Sequence, residues 1–92
     1  MPRTRKKEPL NRDGELFGAR LKELRLKRGM TLQALADEAE MSLTYLSDME
    51  RGMKIPSLTT MIRLAAALRC KVADLVRTID AEGPQNLLPP PK

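Results

Sequence analysis

Leu43, Thr44, Ser47, Asp48 and Arg51 fall at spacings that put them together on the outer side of one short helix. Their chemistry is recognition rather than bond making. The hydroxyls donate and accept, the carboxylate accepts, the guanidinium donates, and the leucine offers an apolar contact. Nothing in the chain would turn those hydroxyls into nucleophiles. There is no histidine among the 92 residues, which excludes His-based acid–base chemistry, Ser–His triads and most zinc sites. The sequence holds no nucleophile–base pair, metal cluster or glycine-rich phosphate loop. The chain is therefore expected to be no enzyme and to use no metal and no cofactor.

Composition narrows the class further. The length suits one small domain. No apolar run approaches the roughly 20 residues of a membrane span, and no apolar stretch follows the basic N-terminus as a signal peptide would require. Cys70 is the single cysteine, so a disulfide-stapled secreted fold is out and a cytoplasmic location is expected. The net charge is +5, and its placement matters more than its size. Residues 1–12 carry Arg3, Arg5, Lys6, Lys7 and Arg12 against Glu8, whereas residues 13–80 are nearly balanced. A basic arm of this kind suits a polyanion such as nucleic acid, or else a solubilising end.

The recognition face needs a scaffold, and the sequence reads as helical. Strand signals are nearly absent between residues 13 and 80, where Leu, Ala, Met, Glu, Lys and Arg dominate. Caps and spacing predict five helices. The first starts after Asp13 and runs to about Arg28, burying Phe17, Leu21 and Leu24, with Gly29 ending it. The second follows the cap Thr31 and buries Leu32, Leu35, Ala36 and Ala39. The third follows the cap Ser42, buries Leu46 and Met49 beside Tyr45, and ends at Gly52. The fourth, introduced by Pro56 and Ser57, buries Leu58, Met61, Ile62, Ala65 and Leu68. The fifth spans about Lys71 to Thr78, with Val72, Leu75, Val76 and Ile79 on one side. Residues 1–12 read as an arm and residues 81–92, rich in proline, as a tail.

Between the second and third helices lie only Ala39, Glu40 and Met41. So short a turn makes the pair cross steeply, and Ala36 supplies a small residue at the closest approach. A protruding helix held by a second one is the geometry that enters a DNA major groove. At this point residues 16–76 resemble the Cro/phage-repressor helix-turn-helix family, also called XRE-like. The resemblance rests on Leu21-Lys22-Glu23-Leu24-Arg25, Gly29-Met30-Thr31, Leu35-Ala36 and Met41-Ser42. It continues through Tyr45-Leu46-Ser47, Glu50-Arg51-Gly52, Pro56-Ser57-Leu58 and Leu64-Ala65-Ala66-Ala67-Leu68. It covers about two thirds of the chain.

The resemblance implies a compact all-α, five-helix lambda repressor-like domain and a non-enzymatic transcriptional regulator. Such a protein acts as a dimer on double-stranded DNA, at a pseudo-palindromic operator. Base reading would fall to Leu43, Thr44, Ser47 and Asp48. Phosphate contacts would fall to Thr31, Ser42, Arg51 and Lys54. Arg25 and Glu50 match a pair that the family buries between the first and third helices.

The chain also departs from that pattern. Leu32 stands where the family often has Gln. Glu40 and Arg69 stand where glycine is usual, and a left-handed backbone there would cost each roughly 1–2 kcal/mol. Cys70 replaces a small apolar residue and reads as a packed thiol. Residues 31–50 hold five carboxylates and no Lys or Arg. Phosphate binding would then lean on Arg51, Lys54, the arm residues Arg3, Arg5, Lys6 and Lys7, or also on the first helix. Asp48 can accept from cytosine N4, and Leu43 can touch a thymine methyl.

Val72, Leu75, Val76 and Ile79 are too apolar for so short a terminal helix, so part of this set is expected to form a two-fold dimer interface. No ligand-sensing domain is expected to follow, and no small-molecule ligand is expected. A self-regulating repressor, a restriction–modification controller and an antitoxin-type repressor all fit. The competing expectation is a protein-interaction module that uses the acidic face of the second and third helices to bind a partner.

Overall fold

The computed structural model describes residues 9–82, and six helices fill it: α1 (Arg12–Lys27), α2 (Leu32–Glu38), α3 (Leu43–Glu50), α4 (Leu58–Leu68), α5 (Val72–Leu75) and α6 (Arg77–Glu82). No strand occurs among the described residues. The basic arm residues Arg3, Arg5, Lys6 and Lys7 and most of the proline-rich tail lie outside them.

Short polar side chains start the helices. Thr31, Ser42 and Ser57 each accept a hydrogen bond from the amide three residues on, at Ala34, Tyr45 and Thr60. Each satisfies one of the amides that a helix leaves orphaned at its start. The first helix begins earlier than the cap Asp13 would have it. Asn11 is the cap, its Oδ1 accepting from the Gly14 amide at 2.9 Å. Both residues are good caps, and the choice of Asn11 draws Asp13 into the first turn, where it is buried.

Four helices end alike. The amide after each left-handed residue bonds back to a carbonyl five residues earlier: Met30 to Arg25, Met41 to Ala36, Met53 to Asp48 and Cys70 to Ala65. This 6→1 bond closes the Schellman motif. Gly29 and Gly52 serve the first and third ends, at φ 68° and 78°. The second and fourth use Glu40 at φ 57° and Arg69 at φ 55°, so both departures from glycine carry a strained backbone. Glycine at position 40 would relieve roughly 1–2 kcal/mol of steric cost and return part of it as unfolded-chain entropy. Glu40→Gly is therefore expected to stabilise the domain by about 0.5–1 kcal/mol, read as a rise in the urea midpoint at unchanged slope.

One core joins the helices. Phe17 and Leu21 of α1 meet Leu35 and Ala36 of α2, Leu46 and Met49 of α3, Leu64, Ala65 and Leu68 of α4, and Leu75 of α5. Two sequence expectations need correction. In α4 the buried residues are Leu64, Ala65 and Leu68, while Leu58 and Ile62 are 63% and 52% exposed. The helix is apolar most of the way round, so its pattern does not single out the inward face. The expected fifth helix is two, broken at Val76 (φ −109°). Arg20 Nε donates to the Asp74 carbonyl at 2.8 Å, taking an acceptor that a continuous helix would offer to residue 78. The segment after the break, α6, packs on α1, where Glu82 pairs with Arg12 at 2.8 Å.

Two titrating groups lie near this junction. The Lys71 amide donates to Asp74 Oδ2 at 2.9 Å, and this bond holds the Asp74 carboxyl below its ordinary range. The resulting stabilisation is present above the ordinary carboxyl range and is lost as pH falls through the lowered value. Cys70 packs against the core, and burial, then the Asp74 carboxylate, push its thiol above the ordinary range. Both effects suit a packed thiol rather than a reactive one.

Candidate nucleic-acid interface

The site is built from the inside out. On α3, Leu46 and Met49 are fully buried, so one face of an eight-residue helix is fixed in the core. Residues on the other face must point outward. Thr44 and Leu43 are exposed, and Ser47 and Asp48 are half-buried. The fold brings these four to one face, as their spacing predicts.

Two structures hold α3 in place. The first is an ion pair. Arg25 Nε donates to Glu50 Oε2 at 2.6 Å and Arg25 Nη2 to Glu50 Oε1 at 3.1 Å. The third guanidinium nitrogen, Nη1, donates to the Met30 carbonyl at 2.8 Å. The two side chains are only 9% and 7% exposed. This fork-on-fork pair fixes the C-terminus of α3 to α1 in direction as well as distance.

The second is a close glycine approach that sequence reasoning missed. A Cβ at Gly18 would lie 2.5 Å from the Met49 carbonyl oxygen and closer still to that of Glu50. One turn earlier, a Cβ at Gly14 would lie 2.8 Å from the Gly52 carbonyl oxygen. Helix α1 thus meets the end of α3 backbone to backbone. The available signal was two glycines four residues apart inside a helix, where each costs about 1 kcal/mol relative to alanine.

The polar face is internally organised. Arg51 Nη1 donates to Ser47 Oγ at 2.9 Å, and Arg51 Nη2 pairs with Asp48 Oδ1 at 2.8 Å. The guanidinium offsets the carboxylate that the acidity of residues 31–50 made prominent. It also remains 44% exposed, so it can still face an anion. Thr31 and Ser42 sit at the N-termini of α2 and α3, their hydroxyl oxygens engaged with amides as caps. Lys54 is exposed in the loop after α3. Gln33, one position from the expected amide, hydrogen-bonds Asp37 instead.

The four apolar residues assigned to a dimer interface separate. Leu75 has no exposed surface and belongs to the core, so it has nothing to offer a second copy. Val72, Val76 and Ile79 stay half-buried. The larger exposed apolar surface lies on the start of α4, at Leu58 and Ile62 with Ile55 before them.

No helix among the described residues is long and apolar enough to cross a membrane, and no group of potential metal ligands occurs among them.

Known proteins share this architecture. The helix-turn-helix family model HTH_3 matches residues 21–75. The HTH-type transcriptional regulator DdrOP3 of Deinococcus deserti is 44% identical over 67 residues, 73% of this chain and 52% of that protein. The control protein C.BamHI of Bacillus amyloliquefaciens is 37% identical over 62 residues, 66% of this chain and 76% of that protein. The chain thus spans about half the length of the Deinococcus regulator and more of the Bacillus one. Among solved structures, the restriction-modification controller protein C.AhdI from Aeromonas hydrophila superposes with a TM-score of 0.69 at 34% identity, covering 71% of this chain and 98% of that one. On the family match and the fold together, this chain belongs to the HTH_3 helix-turn-helix family, of the Cro/phage-repressor type.

Proposed function

We propose that this chain is a sequence-specific double-stranded DNA-binding transcriptional regulator, a dimeric repressor that acts in the cytoplasm on a pseudo-palindromic operator. The observation that carries the reading is the exposed polar face of α3, held rigidly by the buried residues behind it. A short helix anchored on one side and bare on the other fits the major groove. The relatives are named as regulators and control proteins, which favours this reading over a protein-binding acidic face.

In this reading Leu43, Thr44, Ser47 and Asp48 face base edges. Asp48 accepts from a cytosine amino group once Arg51 turns towards phosphate. Thr31, Ser42, Arg51 and Lys54 contact the backbone, the first two through the helix starts they cap. Arg3, Arg5, Lys6 and Lys7 supply further cationic contacts. Two copies pair through Ile55, Leu58 and Ile62, joined by Val76 and Ile79, which line a cavity together with Ile55. Pairing sets the two α3 helices about 34–36 Å apart. Ile62→Glu is expected to give a monomer in sedimentation equilibrium with its helix content unchanged.

The direct test is selection from a random duplex library. A two-fold symmetric consensus is expected, with half-sites centred about one turn apart. An asymmetric consensus, or none, would contradict the proposal. Deleting residues 1–8 is expected to weaken binding and to flatten its dependence on salt, since each phosphate that is no longer neutralised takes about 0.9 off the log–log slope. An unchanged slope would remove the arm from the interface.

A further inference from the structure

Arg51 carries two assignments. Its guanidinium lies on Ser47 Oγ at 2.9 Å and on Asp48 Oδ1 at 2.8 Å, and DNA binding calls the same group to phosphate. While it lies there the Asp48 side chain is only 14% exposed, so the carboxylate meant for a base edge is covered. Residues 31–50 hold no Lys or Arg, so Arg51 is the cation nearest to Asp48 along the chain. Its backbone is fixed: its amide donates to the Ser47 carbonyl at 3.1 Å, and Gly52 after it is buried against α1. Its side chain has no third hydrogen-bond partner among the described residues. The guanidinium can therefore turn while the helix stays still.

We propose that Arg51 is a lock on base reading: it stays on Asp48 along non-cognate DNA and passes to phosphate only where Asp48 meets a cytosine. The inference rests on the DNA reading and adds the condition under which the two contacts form. Energetics set that condition. Over a wrong base pair, a released Asp48 would be desolvated beside phosphates with no donor to meet it, and an unpaired desolvated charge is costly. Over cytosine the N4 amino group becomes the donor, and the released guanidinium gains a charge-assisted bond to phosphate. The closed pair is neutral and neutralises no phosphate. Arg51 thus adds a phosphate contact on the cognate site alone, which steepens the log–log salt slope by about 0.9 per copy.

The test is the salt dependence of binding, by fluorescence anisotropy, of the full chain to its library-selected duplex and to a scrambled one. The wild-type slope is expected to be steeper on the selected duplex by at least about 1.8 for two copies. Asp48→Asn combined with Arg51→Gln removes both charges and keeps the net charge. It is expected to lose about 0.9 of slope per copy on the selected duplex and none on the scrambled one. Asp48→Asn alone, which releases Arg51, is expected to steepen the slope by the same amount on the scrambled duplex and to leave it unchanged on the selected one. Circular dichroism checks that both variants keep their helices. Equal wild-type slopes on the two duplexes would overturn the proposal without any variant. A double variant that loses slope equally on both would mean that Arg51 meets phosphate whatever the sequence, and one that loses none would mean that it never leaves Asp48. Either result overturns the lock and leaves the DNA reading standing on the wild-type binding. A wild-type chain that binds neither duplex overturns both.

Discussion

Glu50→Ala is expected to destabilise the domain by roughly 3–5 kcal/mol. The alanine removes both acceptors of the Arg25 fork and leaves a guanidinium in a site where it is only 9% exposed. The wild-type pair itself contributes little net stability, because desolvating two charges offsets most of their attraction. The loss comes from the orphaned partner. In a domain of this size, 1 kcal/mol moves the melting midpoint by about 4–8 °C, so the variant is expected to melt at least about 12 °C lower. Replacing both partners by apolar residues is expected to be milder than Glu50→Ala alone, though not neutral, because Arg25 also satisfies the Met30 carbonyl. An unchanged midpoint in Glu50→Ala would show that the pair is solvated and that α3 is held by packing alone.

Gly18→Ala is expected to be the second largest effect, destabilising by about 1–3 kcal/mol. A methyl normally helps inside a helix, by roughly 0.5–1 kcal/mol relative to glycine. Here it would meet the carbonyl oxygens of Met49 and Glu50, which are backbone atoms and cannot turn away as a flexible side chain can. The helices must separate, and the fork between Arg25 and Glu50 must stretch with them. DNA affinity is expected to fall by more than the loss of folded protein explains, because α3 is displaced. Ala19→Gly, on the exposed side of the same helix, is the control. It should cost only the helix-propensity difference, about 1 kcal/mol. A Gly18→Ala chain as stable as the wild type would mean that α1 and α3 do not meet so closely.

What is legible in the sequence follows from how local the cause is. Thr31, Ser42 and Ser57 can be read as caps because a hydroxyl caps its own helix within four residues. The same holds for Gly29 and Gly52, and for the strain at Glu40 and Arg69, which depends on one residue's backbone. The inner face of α3 is legible because Leu46 and Met49 are its strongest apolar pair at helical spacing. Features that depend on distant partners are not. Which of Asn11 and Asp13 caps α1, which side of α4 faces inward and why α5 stops at Val76 are settled by tertiary packing, the last by Arg20 reaching the Asp74 carbonyl. The role of Gly18 is invisible until Met49 and Glu50 arrive against it. In the candidate site, sequence places the side chains on a face. The spacing puts Ser47 and Asp48 four and three residues before Arg51, within its reach on a helix, and Arg51 lies across both, a local signal that the reading of this face did not use. That arrangement changes the electrostatic picture, since the carboxylate on the reading face is already matched by a neighbouring cation.

The measurement that bears most directly on the DNA reading is fluorescence anisotropy with a labelled duplex from immediately upstream of this protein's own gene, beside a scrambled duplex, at several salt concentrations. Tight, salt-dependent binding to the native fragment alone is the expected result, and its loss on Thr44→Ala with Asp48→Asn would tie it to the exposed face of α3. Absence of binding to both duplexes at low salt would contradict the DNA reading and turn attention to a protein partner for the acidic face of α2 and α3.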